Sequence, residues 1–305
     1  MDERRPGVMP PRPRPPRRTS KAVVYRRRIT ALAVLIAGFV IAWVAVASVG
    51  GTEKAKPPST TAVVAPKPFR IVFPEGFTRK QMAQRVTAVA GIASRKRGKA
   101  VRIKAESYLA GTARPRRQPG FGRRALPLEG FLFPATYDFT VRTTSARLVS
   151  AQFAAFRRSW AKLNLAYARS KKLAPYDVLI IASLVEKEAV APEERPKIAR
   201  VIYNRLHEGM NLGIDATTRY GLNVPPTEAL TQSQLASENP YNTRNPNITG
   251  LTPTPIANPG LASIQAAAHP APGTWLYFVR KPDKVHHFFT ASFDEFERYK
   301  AENGY

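Results

Sequence analysis

Cysteine is absent from all 305 residues. That one gap excludes disulfides, thiolate zinc sites and cysteine nucleophiles together. It permits export without demonstrating it. Histidine is scarce, and the four present show no H-x-x-x-H or comparable spacing, so no metal site is expected. No G-x-S-x-G, P-loop or G-x-G-x-x-G stretch occurs, which removes the usual footholds of serine-hydrolase, kinase and dinucleotide chemistry. No cofactor is expected. The third shortage is of acids: 21 Asp and Glu stand against 48 Lys and Arg, a formal net charge of +27.

Such a balance invites a nucleic-acid partner. Its distribution argues otherwise. Ten cations fall within residues 1–28 against Asp2 and Glu3, and eleven more lie between Arg95 and Arg124 with Glu106 as the only acid. A basic tail beside a membrane and a basic face toward anionic lipid or polymer explain both clusters, so no nucleic-acid partner is expected.

Residues 1–28 are rich in Pro and Arg and read as a disordered tail. Ile29 to Val49 then gives 21 uncharged, mainly apolar residues, enough to cross ~30 Å of hydrocarbon at about 1.5 Å per residue. A single-pass transmembrane helix is expected there. Ala45-Val46-Ala47 resembles a signal-peptidase site, but the apolar run exceeds the ~7–15 residues of a cleavable signal. Arg26-Arg27-Arg28 on its N-terminal side places that end in the cytoplasm and everything after Gly50 outside. Residues 50–68, rich in Pro, Thr and Ala, read as a linker.

Beyond the linker the pattern is α+β. "FRIVF" alternates like a short strand, Pro74-Glu75-Gly76 makes a turn, and Thr78 can cap a helix carrying Met82, Val86 and Val89 on one face. From Leu126 a larger domain is expected, with a long amphipathic helix from about Ser145, a helix pair over 174–210, a turn around Asp215 closed by Gly221, a small-residue helix after Gly260, and two strands near the C-terminus.

Within the helix "DVLIIASLVEKEAV", Glu186 is a carboxylate entering an otherwise apolar run. Burial favours the neutral form of a carboxyl group, which suits a general acid. Glu188 lies about 200° around the helix from Glu186, so only one of the two faces inward. The competing reading makes both solvated members of a charged stretch with Glu193, Glu194 and Arg195. Asn204 and Arg205 occupy mid-helix positions, and a long loop holds Tyr241, Asn242, Thr243 and Asn258, all with groups able to bond sugars or backbone. The loop "GLTPTPIANPG" from Gly250 to Gly260 holds three prolines, stiff enough to position something.

The blocks "LEGFLFPATYDF", "ASLVEKEA", "VIYNRLHEGMNLGIDATTRYG", "YNT", "GLTPTPIANPGLASIQAAAHPA" and "LYFV", in this order, resemble the MltG (YceG-like) family of endolytic murein transglycosylases. The resemblance spans about residues 69–297. It implies a single membrane anchor, a small LysM-like module over 69–125 that includes the basic segment, and a catalytic domain over 126–305 in the extracytoplasmic space. It implies cleavage of the MurNAc-GlcNAc bond of peptidoglycan glycan strands to leave a 1,6-anhydro end, beside peptidoglycan synthases at the plasma membrane. By position in the "VEKE" block the catalytic acid is carried to Glu186, and substrate contacts to Asp215, Asn204, Tyr241, Asn242 and Asn258. Glu129, a second carboxylate in a family block, is expected either to touch substrate or to pair with Arg123 or Arg124. The proline-rich loop is expected to wall the cleft next to Glu186. Where the family commonly reads Asp-Pro-Thr, this chain has Asp215-Ala216-Thr217. The alternative is a non-enzymatic wall-binding scaffold that keeps the fold.

Overall fold

The computed structural model describes residues 67–305. The expected tail, transmembrane helix and nearly all of the linker lie outside the described residues. Among the described residues, no helix is long and apolar enough to cross a membrane.

The alternating run near the start forms β1 (Phe69–Val72), and α1 (Arg79–Arg97) follows the turn. Thr78 starts α1 with a reciprocal capping box: its hydroxyl accepts the Gln81 N–H at 3.2 Å, and the Gln81 side chain accepts the Thr78 N–H at 2.9 Å. Met82 and Val86 are buried on the expected face. The short helix α2 (Ala105–Ala113), the two-residue strands β2 (Arg116–Arg117) and β3 (Ala125–Leu126), and β4 (Thr136–Phe139) come next.

A four-residue strand needs a partner for its backbone, and β1 finds it in β4, antiparallel, with Phe69 opposite Phe139 and Ile71 opposite Tyr137. That pairing crosses residue 125, where the small module was expected to end, and residues 67–305 fall in one compact unit. The expected module thus shares its ribbon with the following region. The observed class is mixed α+β, its strands being three antiparallel pairs among the described residues.

The remainder is helical until the last ribbon. α3 (Ser145–Trp160) is capped by Thr144, α4 (Ala166–Ser170) is short, and α5 (Pro175–Glu188) is the central helix. Every residue from Val178 to Val185 is buried, because α5 is apolar all round and is enclosed by its neighbours α6 (Arg195–His207) and α9 (Leu261–Ala268). Between them run α7 (Asp215–Leu222) and α8 (Gln232–Leu235), and the chain closes with β5 (Tyr277–Arg280), β6 (His287–Thr290) and α10 (Phe293–Glu302).

One local expectation is corrected. Residues 215–222 form a helix, ended by Asn223 in the left-handed conformation at φ 58°. Gly221 is helical, and close packing requires it: a Cβ there would stand 2.3 Å from Asn239 Oδ1 and 2.7 Å from Tyr241 Cβ. Gly130 combines both demands, with φ +85° and a Cβ position 2.7 Å from the Pro255 ring. The proline-rich loop therefore seats directly on the "LEGF" turn.

Candidate active site

A cavity of about 1490 Å³ opens between the start of α1, the end of α5, α7 and the β5–β6 ribbon. Three carboxylates line it: Glu129, Glu188 and Asp215. Glu186 does not line it.

Glu186 turns toward α9. Its Oε2 accepts the Gly260 N–H at 3.0 Å and the Ser263 hydroxyl at 2.7 Å, so the carboxylate caps the first turn of α9, where the helix dipole favours negative charge. Burial raises its pKa, and the bonds from Ser263 and Gly260 oppose that rise. Glu75 lies against the same loop, where a Cβ on Gly260 would meet its carboxylate.

Glu188 occupies the other side of α5, as the helical angle requires. Its carboxylate takes no hydrogen bond from the described residues, and it faces Arg280, Asp215, Arg244 and the cavity. Burial pushes its pKa up to about 7, with Arg280 pulling it down and Asp215 adding to the rise. A carboxyl group in that range holds a proton near neutrality and can still release it.

Glu129 is 2% exposed and satisfied on all sides. It accepts the Arg79 N–H at 3.0 Å, the Asn258 amide at 2.9 Å and the Tyr220 hydroxyl at 3.0 Å, with Arg79 Nε at 3.6 Å. Its ion-pair partner is Arg79, in place of the expected Arg123 or Arg124. Burial again raises the pKa, to about 7, against the pull of Arg79.

The residues expected to contact substrate divide. Asp215 lines the cavity and pairs with Arg244. The other four do not line it. Asn204 donates to the carbonyls of Gly273 and Trp275, fixing the approach to β5. Asn242 is fully buried, donating to Leu235 and Ser237 carbonyls while accepting the Thr218 hydroxyl at 2.8 Å. Tyr241 bonds Thr254 at 2.9 Å and packs on Tyr220. Asn258, also fully buried, accepts the Leu132 N–H and donates to the Phe77 carbonyl and Glu129, all at 2.9 Å. Their polar groups are consumed in holding loops. Of the proline-rich loop, Ile256 reaches the cavity, while Gly260 meets Glu186 on the far side of α5.

Sequence reasoning did not single out Arg280, Arg244 or Tyr277, all of which line the cavity. Arg280 stands opposite His287 in the β5–β6 register, and its Nη2 reaches the Glu188 carbonyl at 3.5 Å. No local pattern marks a strand arginine as a cavity residue. For Glu188 the signal existed, since two residues of separation already put it opposite Glu186.

The family model described as YceG-like matches residues 54–302. The chain belongs to the YceG-like family. Among curated relatives, an endolytic murein transglycosylase of Bacillus subtilis (strain 168) is 39% identical over 155 residues, covering 51% of this chain and 42% of that protein. Another so named, from Streptococcus pneumoniae (strain ATCC BAA-255 / R6), is 30% identical over 279 residues, covering 83% of this chain and 46% of that protein. The chain thus spans about half the length of the curated relatives it matches. The crystal structure of a YceG-like protein from Listeria monocytogenes is similar with a TM-score of 0.58 at 28% identity, covering 76% of this chain and 75% of that one.

Proposed function

We propose that this YceG-like chain is an endolytic lytic transglycosylase of murein, and that Glu188 is its acid and base. The observation that carries the assignment is the contrast among the site's glutamates. Glu186 is tied to α9 and Glu129 is ringed by donors, whereas Glu188 faces the cavity with no hydrogen bond to its carboxylate among the described residues.

One such group suffices. Protonated Glu188 gives its proton to the glycosidic oxygen as the bond to C1 of MurNAc breaks, and GlcNAc leaves with a free hydroxyl. The resulting carboxylate then takes the proton of the same MurNAc's 6-hydroxyl, whose oxygen closes on C1. No water is consumed, and Glu188 ends as it began. Hydrolytic glycosidases generally need a second carboxylate to activate water or to attack the sugar. Arg280 lies beside Glu188 and stabilises its charged form between the two steps.

The cellular setting belongs to the same proposal. The apolar run 29–49 anchors the chain in the plasma membrane with its N-terminus cytoplasmic, and the folded part trims nascent glycan strands outside, near the synthases.

The test is mass spectrometry of products from uncrosslinked peptidoglycan digested by the purified full chain, beside Glu188→Gln. Anhydro-MurNAc ends from the wild type, reduced at least ~100-fold in the variant, are expected. Reducing MurNAc ends would mean hydrolysis instead. A folded wild-type chain that cuts no wall substrate would make the protein a wall-binding scaffold.

A further inference from the structure

At the end of the β1–β4 ribbon remote from α5, the described chain begins at Lys67, and the C-terminal turn of α1 lies against it. Arg97 donates to the Lys67 carbonyl, and its guanidinium sits 4.9 Å over the Phe69 ring. Phe69 in turn stacks on Phe139 across the ribbon, 5.6 Å between centroids. The Arg102 N–H bonds the Val141 carbonyl at 3.2 Å, which brings in the turn that carries Arg142. These contacts bring Arg97, Arg102 and Arg142 to the end of the ribbon where the linker enters, and Arg95, Lys96 and Lys99 are their close neighbours along the chain.

All six side chains are exposed, and none forms a salt bridge among the described residues. Ile92, 46% exposed, lies one turn before the cluster on α1. Nothing in the cavity chemistry uses these residues, and none of them lines the cavity. Apart from Arg97, these cations make no side-chain hydrogen bond or ion pair among the described residues, and their mutual repulsion opposes gathering them in one place.

We infer that this face is a docking surface for a membrane leaflet rich in anionic phospholipid. Charge complementarity supplies the attraction, which for a basic cluster acts within a Debye length of the lipid surface. The choice of lipid over other polyanions rests on the tether. Residues 50–66 separate Lys67 from the apolar run 29–49, and the basic face lies at their point of attachment, so, on the membrane-anchored reading proposed above, this part of the folded unit is the most closely leashed to the bilayer. Ile92 offers an apolar contact at the headgroup level. The function of the contact is to hold the folded unit in one orientation on the leaflet.

The absence of cysteine permits a direct test. Ala100, exposed between Lys99 and Arg102, is changed in the full chain by Ala100→Cys and labelled with a fluorophore. The chain is reconstituted in vesicles carrying a headgroup-attached quencher, made of phosphatidylcholine with or without phosphatidylglycerol. Quenching several-fold stronger on the anionic vesicles is expected, falling to the neutral level when salt rises from about 0.1 M to about 1 M and the Debye length shortens from about 10 Å to about 3 Å. The combined Arg95→Gln, Lys96→Gln, Lys99→Gln and Arg102→Gln variant, with its melting curve recorded as a folding control, should also fall to the neutral level. Equal quenching on the two vesicles overturns the inference. So does loss of the signal to soluble poly(glycerol phosphate) at charge concentrations well below those of the lipid, which would assign the face to an anionic wall polymer. Should the fourfold variant fail to fold, the salt series on the labelled wild-type chain decides alone.

Discussion

Glu186 and Glu188, two positions apart at the end of α5, face opposite environments: the first caps α9 through Gly260 and Ser263, and the second opens on the cavity with Arg280 beside it. One turn of sequence thus holds one carboxylate tied into the fold and one open to the cavity. The apolar run around it and the family resemblance both pointed to Glu186, and the geometry moves our assignment to Glu188.

Glu186→Gln is expected to fold and to keep cutting. A glutamine oxygen can still accept the Gly260 N–H and the Ser263 hydroxyl, so the loss is that of a charge-assisted cap, on the order of 1 kcal/mol of stability. Cleavage rates should fall less than about tenfold, while the melting temperature drops by a few degrees. A variant that melts normally yet is as inactive as Glu188→Gln would return the acid role to Glu186.

The pH profile should carry the mark of Glu188. Cleavage needs its protonated form, so the rate should decline as pH rises through about 7. Arg280 holds that pKa down by favouring the carboxylate. Arg280→Gln should therefore move the alkaline limb to higher pH, read from kcat against pH on a soluble glycan. A limb that stays in place would show that Arg280 does not act on the titrating group.

Glu129 makes a prediction about stability. Its pKa is raised by burial from the usual 4.5 to about 7 in the fold, so the native state holds this proton more tightly than the unfolded chain does. The stability that follows is fully present below about 4.5 and is lost as pH rises through about 7. Urea midpoints of the wild type should fall across that window. Glu129→Gln, whose amide cannot ionise, should flatten part of the fall, and Glu188, raised in the same direction, should account for a further part. An unchanged slope in Glu129→Gln would mean that its carboxylate is well compensated by Arg79, Asn258 and Tyr220.

Much of the local structure was legible in the residues themselves. The Thr78 cap, the apolar α5, the helix from Ser145 and the paired strands near the C-terminus follow from periodicity and capping, which act within a few residues of one another. Tertiary structure decided what each polar side chain is for. Asn258 and Glu129 bond across 129 positions, β1 takes its partner from beyond residue 125, and the cavity joins the start of α1 to the end of α5 and a distant ribbon. A hydrogen-bonding side chain looks the same in sequence whether it faces a ligand or a neighbouring carbonyl. Only long-range packing, which determines how many partners surround it, separated Asn204, Asn242 and Asn258 from the cavity and left Glu188 open to it.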